Sequence, residues 1–320
     1  MFGLTCNLTG EKGGRRMYKR MLVLLDGSRL SETVFSYARE LSARLCLNLD
    51  LLHVCSPDES EQLPMCQAYV EHMAEMLKAQ SEKIQRECGI GQAASIIEAR
   101  SLVVIGYPPE EILKYAEANH IDLIMLSTHG RSGIRRWGLG SVADKVIHEA
   151  RVPIWLVPAE LREDIIYDRM PSRMIMVPLD GSKLAENILP HVEELVKQRG
   201  VEVEVVLLNV GREVTMPRDL WEASREFIGE DISAFRLASE VYLNGIVKQL
   251  RAKGINARAE QLIGDPAEEI IQYAADNHPQ LIAMSTHGRS GFRRVVFGGV
   301  TENILRRLKK TPVFLVRPGE

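Results

Sequence analysis

"DLIMLSTHGRSGIRRWGLGSVADKVIHEARVPIWLVP" occupies residues 122–158. It opens with a short apolar run, "DLIMLS" (122–127), of strand length and strand composition. A loop with four glycines follows. "SVADKVIHEA" (141–150) then reads as a helix with Ser141 near its cap, and "VPIWLVP" (152–158) as another apolar strand. A strand, a helix and a strand in that order predict a parallel βαβ unit.

The chain carries this unit twice. "MSTHGRSGFRRVVFGG" (284–299) nearly copies "LSTHGRSGIRRWGLGS" (126–141), and 13 of 25 residues are shared from Leu123 to Ile147. "VPIWLVP" matches "TPVFLVR" at offset 159, and Asp26 in "VLLDGS" matches Asp180 in "VPLDGS" at offset 154. A period this long denotes duplicated domains, not a solenoid. The predicted domains are residues 18–159 and 172–318, joined by a polar linker at 160–171. Residues 1–17 have no counterpart in the second copy and are expected to be a disordered leader.

Within copy one, apolar runs at 21–25, 49–54, 99–106, 122–127 and 152–158 alternate with amphipathic stretches at 30–46, 67–88, 108–120 and 141–150. The first of these stretches puts Val34, Tyr37, Ala38, Leu41 and Leu45 on one helical face. "PPEEI" (108–112) is a strong helix start. Copy two repeats the order. The predicted fold class is therefore α/β, two tandem five-stranded parallel doubly wound, Rossmann-like domains, with strands buried on both faces. Such sheets take ligands beyond the carboxyl ends of their strands, at the switch in strand order.

Bulk properties exclude several classes. A net charge of −3 over 320 residues gives no general basis for nucleic-acid binding. No apolar run approaches the roughly 18 residues of a membrane helix, so no membrane partner is expected. The five cysteines are odd in number and form no C-x-x-C pair, which favours reduced thiols and a cytoplasmic location over a disulfide framework.

The repeated loop lies where a strand feeds a helix. Free backbone N–H groups and the positive end of the helix dipole point there, which suits phosphate. Gly130, Gly133, Gly138 and Gly140 permit close approach and positive φ, and Arg131, Arg135 and Arg136 add positive charge. A plain glycine turn before a helix is the competing reading, and the loop alone leaves both open. Asp26 and Asp180 end the first strand of each copy. Each suits either a ribose or adenine contact or a helix cap.

These residues resemble the universal stress protein family, in its tandem form. The resemblance covers roughly residues 18–318 and rests on "VLLDGS" and "VPLDGS", on "STHGRSG" in both copies, and on the glycine-serine step before the last helix. The nucleotide-binding branch of that family carries G-x2-G-x9-G-[ST]. Copy one reads Ser127-x2-Gly130-x9-Gly140-Ser141, and copy two reads Ser285-x2-Gly288-x9-Gly298-Gly299, without the terminal hydroxyl. The resemblance implies an adenine nucleotide alpha hydrolase-like fold and ATP, ADP or AMP as ligand, with any Mg²⁺ held through phosphates and water. In copy one, Leu25 and Val54 would line the adenine pocket, Asp26 would meet ribose or adenine, and Leu126 and Ser127 would adjoin the nucleoside. Gly130, Arg131, Ser132, Gly140, Ser141 and Val142 would surround the phosphates. The matching positions in copy two are Leu179, Asp180, Val210, Ser285, Gly288, Arg289, Ser290, Gly298 and Val300. Family dimers pair through their last strands, which implies an intramolecular pseudo-twofold dimer here, with a homodimer of chains also open.

No nucleophile-and-base set stands out. His129 and His287 repeat within "STHG" and read more readily as loop-orienting than catalytic. No His/Cys/Asp/Glu cluster shows metal-ligand spacing along the sequence. The expected function is an ATP-binding stress-response or signalling module with a protein partner, its loops at 57–66 and 211–230 changing order with ligand. The alternatives are a weak Mg-dependent ATPase and a nucleotide-free interaction scaffold.

Overall fold

A computed structural model describes residues 16–89, 96–131, 133, 138–161, 173–198, 202–211, 236–286 and 299–317. The leader up to residue 15, the linker at 162–172 and residues 212–235 lie outside it. Two compact units divide the chain, Met1–Met170 with Glu194–Val201, and Pro171–Glu193 with Glu202–Glu320.

In the first half the elements run β1 (Arg20–Leu25), α1 (Phe35–Leu45), β2 (Asn48–Cys55), α2 (Leu63–Glu87), β3 (Ala99–Ile105), α3 (Pro108–Ala118), β4 (Leu123–Ser127), α4 (Ser141–Glu149) and β5 (Ile154–Val157). A 3₁₀ turn, Ser31–Val34, precedes α1. The strands are hydrogen-bonded in the order β3-β2-β1-β4-β5, and every pairing is parallel. The order reverses between β1 and β4, so the loops after these two strands stand side by side at the carboxyl edge.

The second half repeats the plan: β6 (Met174–Pro178), α5 (Lys183–Glu186), α6 (Leu189–Gln198), β7 (Glu204–Gly211), α7 (236–252), β8 (Ala257–Ile263), α8 (Pro266–Asn277), β9 (Leu281–Ser285), α9 (Gly299–Arg307) and β10 (Val313–Val316). Its strand order is β8-β7-β6-β9-β10, again all parallel. The α/β, two-domain, five-strand reading of the sequence thus describes the fold.

Packing follows the periodicity. Val34, Tyr37, Ala38, Leu41 and Leu45 are all buried against the sheet. Tyr37 lies 6.4 Å from Trp155 between ring centroids, which clamps α1 onto β5. Charged groups are embedded in this core, among them Asp50 and the Glu40–Arg44 pair of α1, which meets at 2.9 Å. The Asp50 carboxylate on β2 accepts from Arg20 Nη1 at 2.7 Å and from the Tyr115 hydroxyl at 2.8 Å, so its burial is compensated. Among the described residues no helix is long and apolar enough to cross a membrane.

Two expectations are modified. Burial on both faces holds for the inner strands, whereas β3 and β8 are largely half-covered because each lies outermost in its half. The stretch expected to be a loop at 57–66 is instead a 3₁₀ turn, Pro57–Gln62, running straight into α2 at Leu63. Pro57 and Pro64 each sit in a first turn, where a missing N–H costs nothing and φ is already helical. The matching expectation for 211–230 lies, beyond Gly211, outside the described residues.

In the second half His191 on α6 faces buried Phe314 at 6.1 Å between ring centroids. Burial lowers its pKa from 6.5 to about 4. Between those values the unfolded chain binds the proton and the folded chain does not, so this histidine's contribution to stability is present above pH 6.5 and falls away as pH drops through 4. Urea midpoints taken at pH 7 and pH 5 are expected to differ less for His191→Gln than for the unaltered chain. An equal difference in both refutes this assignment.

Candidate functional site

The site begins with the turn after β1. Asp26 Oδ1 accepts the Ser28 N–H at 2.9 Å, and Ser28 Oγ in turn accepts the Ser31 N–H at 3.2 Å. The second carboxylate oxygen reaches the neighbouring loop and accepts the Arg131 N–H at 2.6 Å. Burial alone would raise the pKa of Asp26. Hydrogen bonds from Ser28, Ser31 and the Arg131 backbone outweigh it, and the carboxyl is held below its ordinary value. Asp26 therefore acts as a clasp between the two loops at the switch point, beyond the two roles weighed for it from sequence.

The glycines divide by task. A Cβ at Gly130 would fall 1.9 Å from Asp26 Oδ2, and one at Gly140 would fall 3.2 Å from the Thr128 carbonyl oxygen, so both are required for close approach. Gly140 also donates its N–H to that carbonyl at 2.8 Å. Gly133 and Gly138 instead adopt positive φ, 74° and 106°. Thr128 anchors the loop to the end of β5: its Oγ1 accepts the Ala159 N–H at 2.9 Å and lies 3.1 Å from His129 Nδ1. His129 thus contacts the loop's own anchor, as a loop-orienting residue would.

Around these loops lies a cavity of about 320 Å³, within the size range of small-molecule sites. Every described copy-one residue that the family resemblance assigned to a nucleotide lines it: Leu25, Asp26, Val54, Leu126, Ser127, Gly130, Arg131, Gly140, Ser141 and Val142, whereas Gly133 and Gly138 do not. Ser132 lies outside the described residues. Leu24, Leu52, Pro108 and Ile112 extend its apolar wall. At the polar end the N-cap of α4 is Gly140, which has no side chain to accept from the N–H groups of the helix's first turn. Arg131 Nη1 meets Glu59 at 2.8 Å across the mouth, with both side chains partly exposed.

Sequence reasoning did not single out His53, Glu59 or Thr128. Glu59 comes within reach only because the 3₁₀ turn after β2 folds over the site. His53 was detectable in principle, since it alternates with Val54 at the end of a central strand. Its pKa is lowered, first by burial and then by the Arg131 guanidinium, against the opposing pull of Asp26 and Glu59. The imidazole is accordingly neutral near pH 7. Nor did sequence spacing reveal that His53, Cys55 and Cys66 bring one ligand-type atom each to within 4.8 Å of one another. Burial, followed by the neighbouring Cys66, raises the Cys55 pKa and keeps it a thiol.

In copy two Ser182 donates its N–H to Asp180 at 2.9 Å, reproducing the first turn of the clasp. Leu179 and Asp180 follow β6, Val210 is on β7, Ser285 ends β9 and Val300 is in the first turn of α9. Because β7, β6 and β9 are parallel neighbours, these positions share one carboxyl edge. Gly288, Arg289, Ser290 and Gly298, with His287, lie outside the described residues.

A family model described as "Universal stress protein family" matches the chain at residues 17–158 and again at 171–317. The chain belongs to this family. Universal stress protein Rv2005c of Mycobacterium tuberculosis is 23% identical over 304 residues, covering 93% of this chain and 96% of its own length. Universal stress protein MJ0577 of Methanocaldococcus jannaschii is 27% identical over 155 residues, 45% of this chain and 94% of its own. A crystal structure of a universal stress protein from Archaeoglobus fulgidus superposes with a TM-score of 0.65 at 20% identity, covering 95% of this chain and 99% of that one, and so shares its fold.

The clasp makes a quantitative demand. Gly130→Ala forces a methyl group onto the Asp26 carboxylate, and overpacking of this kind costs about 1–3 kcal/mol. Asp26→Ala removes the obstructing oxygen, so in the double variant the two losses are expected to be less than additive. Urea denaturation of the four chains in the cycle checks this. Strict additivity shows that the two residues do not meet.

Proposed function

We propose that this universal stress protein binds ATP in its first domain and serves as a nucleotide-responsive module in stress signalling. The carrying observation is the cavity that gathers ten residues from β1, β2, β4, the glycine loop and α4 into one surface. Its apolar wall, including Leu25, Val54, Leu126 and Ile112, suits an adenine ring. The Asp26 carboxylate is ionised near pH 7 and retains lone pairs beyond those taken by Ser28 and Arg131, which suits ribose hydroxyls. The uncapped start of α4, with Ser141 beside it, suits the phosphates. Mg²⁺, where present, is held by phosphate oxygens and water.

Arg131 is the residue that ligand has to recruit. Its ion pair with Glu59 is partly exposed, and such pairs contribute about 0.2–1 kcal/mol. A phosphate, accepting a charge-assisted bond, outcompetes it. Copy two is expected to bind more weakly. Gly299 stands in place of Ser141, and the described surroundings leave space for a side chain there, so what it lacks is the hydroxyl itself.

Mass spectrometry of ligand released from denatured pure protein, with calorimetry of the stripped chain, tests the reading. One adenine nucleotide per chain is expected. Ser141→Ala changes an exposed side chain, so the melting temperature should hold while ATP affinity drops roughly tenfold or more, as loss of a bond to a charged group implies. Absence of a melting shift with millimolar ATP, ADP or AMP removes the proposal and leaves an interaction scaffold.

A second variant probes the ion pair. Glu59→Gln releases Arg131 and is expected to tighten ATP by up to about fivefold, the equivalent of an exposed pair. Unchanged or weaker binding means that Arg131 does not reach the phosphates.

A further inference from the structure

In the cavity wall, His53 shares one face of β2 with Cys55, because strand residues two apart point the same way. Cys66, in the first turn of α2, is brought back over them when the 3₁₀ turn folds onto the strand end. All three side chains are buried, and both thiols are free. His53 is 1% exposed, yet neither ring nitrogen makes a hydrogen bond of normal geometry among the described residues, and the backbone of Leu25 gives it only a weak polar contact. A buried polar group met this weakly is costly and calls for an explanation.

The second copy shows that the strand position itself imposes no such cost. There Asn209 takes the place of His53, and it is equally deep at 4% exposed. Its Nδ2 donates to the Leu179 carbonyl at 2.6 Å, and its Oδ1 accepts from the Ser239 hydroxyl at 2.8 Å. Gly211 takes the place of Cys55. The weakly bonded imidazole and the thiol beside it therefore occur together in one copy and are missing together from the other.

We propose that His53, Cys55 and Cys66 form a zinc site beside the cavity. Two sulfurs and an imidazole nitrogen are the donor set that a soft, tetrahedral d¹⁰ cation selects. Bonds of about 2.3 Å to sulfur and about 2.0 Å to nitrogen place tetrahedral ligand atoms roughly 3.5–4 Å apart. The three atoms already lie within 4.8 Å, so small side-chain adjustments close the site. Binding releases one proton to solvent from each thiol, and the imidazole is already neutral. Zn²⁺ with two thiolates then carries no net charge, which a buried location can hold without a large desolvation cost. Three protein ligands leave the fourth position for water or a ligand atom.

The test uses the full reduced chain, stripped by chelator and dialysed. Zinc is counted per chain by atomic emission, and Co²⁺ is added in parallel as a spectroscopic probe. One zinc per chain is expected, and cobalt should give near-ultraviolet thiolate-to-metal absorption. Cys55→Ser and Cys66→Ser should each lose stoichiometric zinc, and His53→Asn, which copies the second domain, should weaken it at least tenfold. Cys46→Ser and Cys88→Ser should leave it unchanged. A substoichiometric count, a cobalt spectrum without thiolate absorption, or zinc that survives both Cys55→Ser and Cys66→Ser overturns the site. The cobalt spectrum of the unaltered chain decides the matter even where a variant fails to fold. No nucleotide enters the experiment, so its outcome is separate from that of the ATP reading.

Discussion

The contact on which the first domain's site depends is between one carboxylate and one stretch of backbone. Asp26 reaches from the end of β1 to the N–H of Arg131, and Gly130 has no side chain because that carboxylate occupies the space. A charged hydrogen bond of this kind contributes roughly 1.5–3 kcal/mol. Its larger effect is geometric. Two loops from neighbouring strands, free to diverge at the switch point, are held in register. The cavity between them then has a fixed floor, and α4 starts at a fixed place. The repeated "DGS" and "THG" motifs are two sides of one junction. That is a physical reason for the first domain to carry them together.

Much of this was readable before any coordinates. The alternation of apolar runs with amphipathic stretches specified parallel strands and covering helices, because burial on two faces leaves so few polar positions in β1, β2, β4 and β5. The five positions assigned to the core face of α1 are buried as a set. The cavity residues were legible for a different reason: glycines and an aspartate repeated at matched spacing imply a backbone constraint, and in such folds constraints gather at the carboxyl edge. The reach of Asp26 to Arg131 was not legible, because it joins residues 105 apart in sequence. The Pro57–Gln62 turn, which sequence periodicity does not reveal, escapes for a related reason. Its residues are polar, and its shape is set by proline positions and by what it packs on, neither of which appears as periodicity.

The two halves share a strand order and differ in what their strand ends carry. Where copy two places Asn209, with both ends of its amide engaged, copy one places His53, whose nitrogens make no hydrogen bond of normal geometry and only a weak contact with the Leu25 backbone. Duplication supplies two equivalent frames, and each can accept polar groups at the end of its second strand only if partners are supplied. Asn209 finds its partners in a carbonyl and a serine. His53 has thiols for neighbours, and a thiol is a poor hydrogen-bond partner for imidazole but a good co-ligand. The asymmetry is therefore chemical, located at particular residues, and independent of the difference between Ser141 and Gly299.

His53 is also where these features meet. It lines the cavity, lies near enough to Asp26 and Arg131 for their charges to shift its titration in opposite directions, and shares a cluster with Cys55 and Cys66. A residue with these three connections is placed so that a change at one of them would be felt at the others without any large motion. Drawing Arg131 away from Glu59 toward an anion removes part of the positive charge that now disfavours protonated His53. Fixing an imidazole nitrogen on a cation takes that nitrogen out of protonation altogether and stiffens the wall against which an adenine would rest. Linkage makes any such coupling reciprocal in free energy, so a cation that changed nucleotide affinity would have its own affinity changed by nucleotide to the same degree. In the second domain the same position carries an asparagine bonded to a carbonyl and a serine, so among the described residues the His53 arrangement belongs to the first domain.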